Sequence, residues 1–420
     1  MSDAPRLLAE GAAAPLSRDA RAALVLAGAA RELLELGRID LARTAAELSL
    51  ATGVAQPNCH SVMAGVLEEH GEWDAALGQW RAAARLAPGS PGHRNNLALA
   101  LMLHGRWDEA AALHEARLDK PDWTSLAAKG SLDGIRFRLA RPGDELVGRR
   151  VLAFTEQGLG DCVWAARWLP VLAARGVAVT VATRPELAPL LARIAPDLPQ
   201  IGPPPEQPEA KINLAALAGR FDLFAPLMSL PNLLGVAAPT GDGVPYLAPE
   251  LARIDVWRAR YAQALPGRRP IGVVWRASLT NASSPRRSVP AAVLAALAAC
   301  PDLGFVNLQG GPPEGREALA GVLPQTFDAL ADGEPPLDEF AAAVAATDTL
   351  VTVDTLAAHI AGAMGHKALV LVPAAPHFYW GLGRDVCPWY PTLRLFRQSR
   401  QGGWEAVVPA LARALRPGGS

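Results

Sequence analysis

Residues 150–182 read RVLAFTEQGLGDCVWAARWLPVLAARGVAVTVA, and this stretch decides the fold class. Arg150–Thr155 is a short apolar run of strand length. It is followed by a turn carrying Gly158 and Gly160, then by Asp161 and an apolar-periodic stretch, Val163–Ala174. Gly176 breaks the helix, and Val177–Ala182 is a second β-branched run. Strand, helix and strand in this order form a βαβ unit, with parallel strands and a right-handed crossover. Ligands of such sheets bind beyond the carboxyl ends of the strands, so the turn Glu156–Asp161 is the first place to look for chemistry.

Toward the C-terminus the alternation continues. Residues 199–210 hold five prolines and read as a surface loop. A second series starts at Pro270, with strands expected at Ile271–Trp275, Phe305–Leu308, Leu350–Val353 and Ala368–Val372. Helices are expected at Val289–Ala299, Leu337–Ala346 and Thr355–Met364, and a last one near Trp404–Leu415. The reading is α/β with two Rossmann-like lobes, residues 148–245 and 270–420, joined by a linker over 246–269 and facing a cleft.

Toward the N-terminus the texture is helical and periodic. Gly71 and Gly105 are 34 residues apart, as are Trp73 and Trp107, Asp74 and Asp108, and Ala76 and Ala110. Gly37, Ile39, Asp40 and Ala42 hold the same offsets one copy earlier. Ala30, Ala64 and Ala98 fall where paired helices must touch closely, and Leu33, Leu67 and Leu101 at core positions. Glycine can end each first helix in a left-handed conformation. Residues 20–121 therefore resemble tetratricopeptide repeats, with a connector expected over 122–147. Such arrays present a concave groove to a protein or peptide.

Length and composition set outer limits. The chain has 420 residues, 50% of them hydrophobic and 19% charged, with a formal net charge of −1. This is long enough for two to four domains and lacks the basic excess that nucleic-acid binding requires. Cys59, Cys162, Cys300 and Cys387 lie too far apart for paired zinc or disulfide spacing, as expected of a reducing cytoplasm. No apolar run approaches the ~18 residues of a membrane span.

The strand ends carry the candidate chemistry. Asp161 opens a helix, where its carboxylate either caps free N–H groups or takes a proton from an acceptor hydroxyl. Asp354 and Thr355 stand at another strand-to-helix junction, suited to sugar hydroxyls and a phosphate. His359 lies one turn further along an apolar helix. Trp275-Arg276 and Arg286-Arg287-Ser288 frame a polar loop whose guanidinium groups match phosphate oxygens. Gln309 precedes Gly310-Gly311 and is placed to meet a base or ribose edge. The aromatic groups at His377–Trp380 and Trp389–Pro391 either stack on a ligand or form the packed seam between lobes.

TEQGLGDCVWAARWLPVLAARG, FDLFAPLMSLPNLLG, IGVVWRASLTNASSPRRSVP, VTVDTLAAHIAGAMG and WYPTLRLFRQ occur in this order. Together they resemble glycosyltransferase family 9, the heptosyltransferase-like group with the GT-B fold. The resemblance implies inverting, metal-independent transfer from a nucleotide-sugar co-substrate, with no further cofactor. It implies that Asp161 is the catalytic base. It makes Gly158, Gly160, Trp275, Arg276, Arg286, Arg287, Gln309, Asp354, Thr355 and His359 the donor-binding set. The basic residue that the family keeps near the start of its second lobe falls to Arg276 or to Arg286 and Arg287. The repeat fusion is similar in layout to O-GlcNAc transferase and the flagellin glycosyltransferases, in which repeats select a protein acceptor. Two alternatives stand beside it: a non-catalytic repeat scaffold, and an enzyme acting on lipopolysaccharide core. Removing residues 1–121 is expected to leave nucleotide binding intact.

Overall fold

The computed structural model describes residues 17–54, 56–120, 135–203, 206–207, 210–236, 238–239, 243–277, 284–311, 313–399 and 402–416. The chain divides into two compact units, Met1–His93 and Arg94–Ser420.

The first unit holds two helix pairs, Arg18–Glu35 with Ile39–Ala51 and Pro57–Glu69 with Trp73–Leu86. Their contact faces are built on small residues: Ala23, Ala30, Ala42, Ala46 and Ala64 have no exposed surface. A methyl side chain is what lets two helix backbones come this close. Gly37 and Gly71 end the first helix of each pair at φ of 71° and 73°, a backbone region closed to most side chains. Leu67 is buried as expected, whereas Leu33 is only half-buried.

The third copy of the repeat crosses into the second unit. Its first helix is Pro91–Leu103, and its second, Trp107–His114, has 8 residues where Trp73–Leu86 has 14. The chain then tightens into a 3₁₀ segment, Glu115–Asp119. Of the connector expected over 122–147, residues 122–134 lie outside the described ones, and the rest is not a free linker. Ile135 and Leu139 are buried with Leu118, Leu152, Phe154 and Phe224 in the core of the first α/β lobe.

That lobe carries β1 (Arg150–Phe154), β2 (Ala178–Ala182), β3 (Gln200–Ile201) and β4 (Leu223–Pro226), parallel and in the order β3-β2-β1-β4. A separate second sheet contains β5 (Arg269–Val274), β6 (Leu303–Asn307), β7 (Thr326–Asp328), β8 (Thr349–Val353), β9 (Ala368–Val372) and β10 (Leu393–Arg397). It too is parallel throughout, in the order β10-β9-β8-β5-β6-β7. β8 and β9 are buried along their whole length, because helices cover both faces of a parallel sheet. The order of strands reverses between β1 and β4 and again between β5 and β8. Crevices open beyond the carboxyl ends of the strands at such reversals. Glu156–Asp161 follows β1, Trp275-Arg276 follows β5, and Asp354-Thr355 follows β8, so the candidate motifs flank both switch points.

The differences from expectation have local causes. The helix expected over Val163–Ala174 starts earlier and is broken into Leu159–Ala166 and Trp168–Ala174. Pro170 has no N–H to give to Ala166, so the helical ladder cannot run through. The linker over 246–269 contains a 14-residue helix, Leu251–Ala264. Val289–Ala299 is a single α-helical turn, Ala291–Leu294, followed by a 3₁₀ segment, Ala295–Ala299. The last helix is Val408–Ala414. No described helix is long and apolar enough to cross a membrane.

Candidate active site

The turn after β1 is tightly specified. Gln157 takes φ of 61°, the one non-glycine residue with positive φ among those described. This left-handed step swings the chain so that Gly158 caps the helix Leu159–Ala166 and Asp161 falls on its first turn. The Asp161 carboxylate has two distinct oxygens. Oδ2 accepts the Gly158 N–H at 2.8 Å, and Oδ1 accepts the Tyr379 hydroxyl, which comes from the other lobe. Capping uses one oxygen and leaves the second on the interlobe face. Any Cβ at Gly160 would stand 2.7 Å from the His359 ring, so a glycine there is a condition of the two helices touching.

Behind the turn lies a buried ion pair. Glu156 has no exposed surface and Arg117 is 3% exposed. Arg117 donates to Glu156 at 2.5 and 3.3 Å, to Ser229 Oγ at 2.7 Å and to Glu115 at 3.3 Å. Burial alone would lower the guanidinium pKa, but Glu156 and Glu115 outweigh it and raise it. A charge this deep is tolerated only when fully paired. The segment after the third repeat therefore fixes the turn that carries Asp161.

Across the interface, Asp354 is buried at the end of β8. Arg287 donates to its carbonyl at 3.0 Å and stands 4.0 Å from its carboxylate. Burial raises the Asp354 pKa, opposed by Arg287 and His377. Thr355 caps the helix Leu356–Ala363 in an extended conformation without spending its hydroxyl on the cap. Arg276 and Arg287 each bury an Nε that has no partner. Arg286 is half-buried. The loop between these arginines includes residues 278–283, which are not described, but its ends are pinned: Ala277 N–H donates to Ser288 Oγ at 3.1 Å and Val289 N–H to the Trp275 carbonyl at 2.8 Å.

Three members of the expected donor set are engaged within the fold itself. Trp275 is a core residue of the second lobe. Gln309 accepts from the backbone N–H of Trp275 and Arg276 at 3.1 and 2.8 Å and donates to the Arg276 and Gly310 carbonyls. Its amide braces the strand end. His359 is enclosed by the Tyr379, Trp380 and Tyr390 rings, meets the Tyr390 hydroxyl at 3.2 Å, and is held neutral by burial, its pKa falling to about 3. It packs the seam against Gly160. The second aromatic group does the same: Arg167 lies over the Tyr246, Trp389 and Tyr390 rings and donates to the Trp389 carbonyl.

No protein-family model matches the chain. It is 32% identical over 368 residues to protein FlbA of Caulobacter vibrioides, a match covering 82% of this chain and 59% of that one. The chain thus spans about three-fifths of the length of this relative. Among solved structures, a glycosyl transferase family 9 protein from Veillonella parvula overlaps with a TM-score of 0.43 at 14% identity, over 61% of this chain and 87% of that one. E. coli ADP-heptose lps heptosyltransferase II gives 0.46 at 17% identity, over 62% and 95%. A mutant of Thermobaculum terrenum O-GlcNAc transferase gives 0.32 at 16% identity, over 96% and 91%.

Sequence reasoning left Tyr379 and His377 inside an aromatic cluster without a role. The structure aims the Tyr379 hydroxyl at Asp161, and leaves buried His377 Nδ1 without a partner. Burial lowers the His377 pKa, while Asp161 and Asp354 oppose that shift, so the imidazole feels both carboxylates. A cavity of about 310 Å³ is lined by Asp161, Gln157 and His377 from the two lobes and by Asn95, His114 and Lys120 from the third repeat copy and the segment after it.

Proposed function

We propose that the chain is a glycosyltransferase of the GT-B type, in which a nucleotide-sugar donor lies at the second lobe and a protein acceptor is recruited by tetratricopeptide-type repeats. One observation carries the reading. At the carboxyl ends of two parallel sheets, Asp161 from one lobe accepts the Tyr379 hydroxyl of the other, and that second lobe also carries the Asp354–Arg287 pair and the unpartnered Nε atoms of Arg276 and Arg287. The ordered family 9-like motifs support the same assignment.

In this reading the acceptor hydroxyl attacks the anomeric carbon of the donor from the Asp161 side. The new O–C bond forms as the bond to the diphosphate breaks, and the configuration inverts. The hydroxyl proton passes to Asp161, whose position is held by Gly158 N–H and Tyr379. The diphosphate leaves with its charge met by Arg276, Arg287 and the N-terminus at Thr355, so no divalent ion is required. A flagellin or another surface protein is the acceptor that the repeat fusion favours.

Two measurements test this. Candidate acceptors co-expressed with the protein should gain the mass of one glycosyl residue, and should not when the protein is omitted. Calorimetry with nucleotides in the presence of a chelator should show binding. Binding that appears only with magnesium or manganese would reject the metal-independent mechanism.

A further inference from the structure

The cavity beside Asp161 contains a group that its own fold leaves unsatisfied. Asn95, on the helix Pro91–Leu103, is 6% exposed, and its Oδ1 is buried without a hydrogen-bond partner. Buried amides are normally satisfied, and one that is not costs the fold stability. His377 Nδ1 is in the same condition. Both residues line the same cavity, which Asp161 also lines.

We propose that this cavity is the acceptor subsite and that Asn95 hydrogen-bonds the backbone of a hydroxyl-bearing residue, a serine or threonine within a peptide. This rests on the glycosyltransferase reading and names the side from which its acceptor enters. The chemistry selects a peptide. One primary amide offers an acceptor oxygen and an NH2 donor side by side, which match the N–H and C=O of one extended residue. Leu99, Met228 and Phe378 give an otherwise polar lining an apolar patch for aliphatic side-chain surface. The neighbouring guanidinium of Arg117 is committed to Glu156, Glu115 and Ser229. A peptide brings one amide pair, a Cβ hydroxyl for Asp161 and aliphatic surface for the rest.

The test uses the full chain, N-acetyl-L-serine N′-methylamide as a peptide probe and a methyl glycoside as a sugar probe, with binding followed by NMR titration. The serine probe should bind with a Kd on the order of millimolar, as its small size dictates. Asn95→Leu should weaken it at least about tenfold while leaving Tm unchanged or higher, because the change removes an unsatisfied amide. Asn95→Ala, which relieves the same amide without demanding space, should weaken the probe to a similar degree. Loss of Tm in Asn95→Leu with unchanged probe affinity would assign Asn95 a structural role and overturn the proposal. So would Asn95-dependent binding of the glycoside in preference to the serine probe. Binding of the probe does not depend on turnover, so an Asp161→Asn variant that binds the probe yet transfers sugar normally would remove the base and leave the subsite standing.

Discussion

Trp73 and Trp107 hold the same position in two copies of one 34-residue pattern, yet their surroundings differ. Trp73 is half-buried on its helix pair. Trp107 is 3% exposed and stacks edge-on against Phe378 and Trp389 at 5.4 and 5.0 Å, with Trp164 at 6.2 Å. Those partners come from both α/β lobes. Ten residues later the contrast repeats: the second copy continues as helix, while the third turns at Glu115 and sends Arg117 to Glu156. A repeat motif specifies a helix pair, but not what covers it. The second copy packs as a repeat; most of the third belongs to the second unit.

The sharpest way to break this comparison is to cut the chain on either side of the third copy. A chain starting at Arg94 should fold and bind nucleotide. A chain lacking residues 1–121, expected from the repeat boundary alone to do so, should fail to fold, because it loses Trp107, Arg117 and Leu118 together. Circular dichroism and solubility of the two truncations decide between them.

Single substitutions should follow in descending order. Arg117→Met strands the Glu156 carboxylate and should cost about 3–5 kcal/mol by denaturant unfolding, with Glu156→Gln in the same chain recovering a large part. Trp107→Ala should cost about 3–5 kcal/mol, against about 1 for Trp73→Ala, by the same measurement. Equal losses at the two tryptophans would show that the third copy is not embedded.

Acid sharpens the comparison further. His359 and His366 are held neutral by burial, with pKa values near about 3 and 4, and burial lowers His114 and His377 as well. All four lie in the second unit. The unfolded chain takes up protons below about pH 6.5 while the folded chain does not. Stability is therefore full above that pH and falls as pH drops. Between pH 7 and 5 the loss should be about 2 kcal/mol for His359 alone. Hydrogen exchange should accordingly show the second unit loosening in acid. The smallest effect is expected at Tyr379→Phe, with stability changed by about 1 kcal/mol and turnover lowered about tenfold as the carboxylate loses its brace.

The legible parts of this molecule were those that depend on local pattern. Among the described residues, the alternation of strands and helices located two of the four strands of the first sheet and four of the six of the second, and the Gly-Asp and Asp-Thr turns marked both switch points. β3, inside the proline-rich stretch read as a surface loop, and β4 and β7 escaped that reading because they have only 2, 4 and 3 residues, and β10, with 5, because Arg394 and Arg397 interrupt its apolar run. What stayed hidden depends on distance in the chain. Glu156 directly after a buried strand announces that a cation must meet it, but nothing local selects Arg117 from forty basic residues. Tyr379 reads as one aromatic among several until the fold sets its hydroxyl against a residue 218 positions away. Gln309 shows the converse: its type suits a ligand, and its neighbours consume it.

The central claim is that Asp161 accepts the proton, and Asp161→Asn addresses it most directly. Asparagine keeps the size of the side chain and caps helices well, so Tm should move little, with a stability loss of about 1 kcal/mol at most. Turnover to the acceptor should fall by about 10²–10⁴, with nucleotide affinity unchanged. Turnover close to that of the unaltered protein, measured on the same folded variant, would contradict the claim and leave Asp161 as a helix cap.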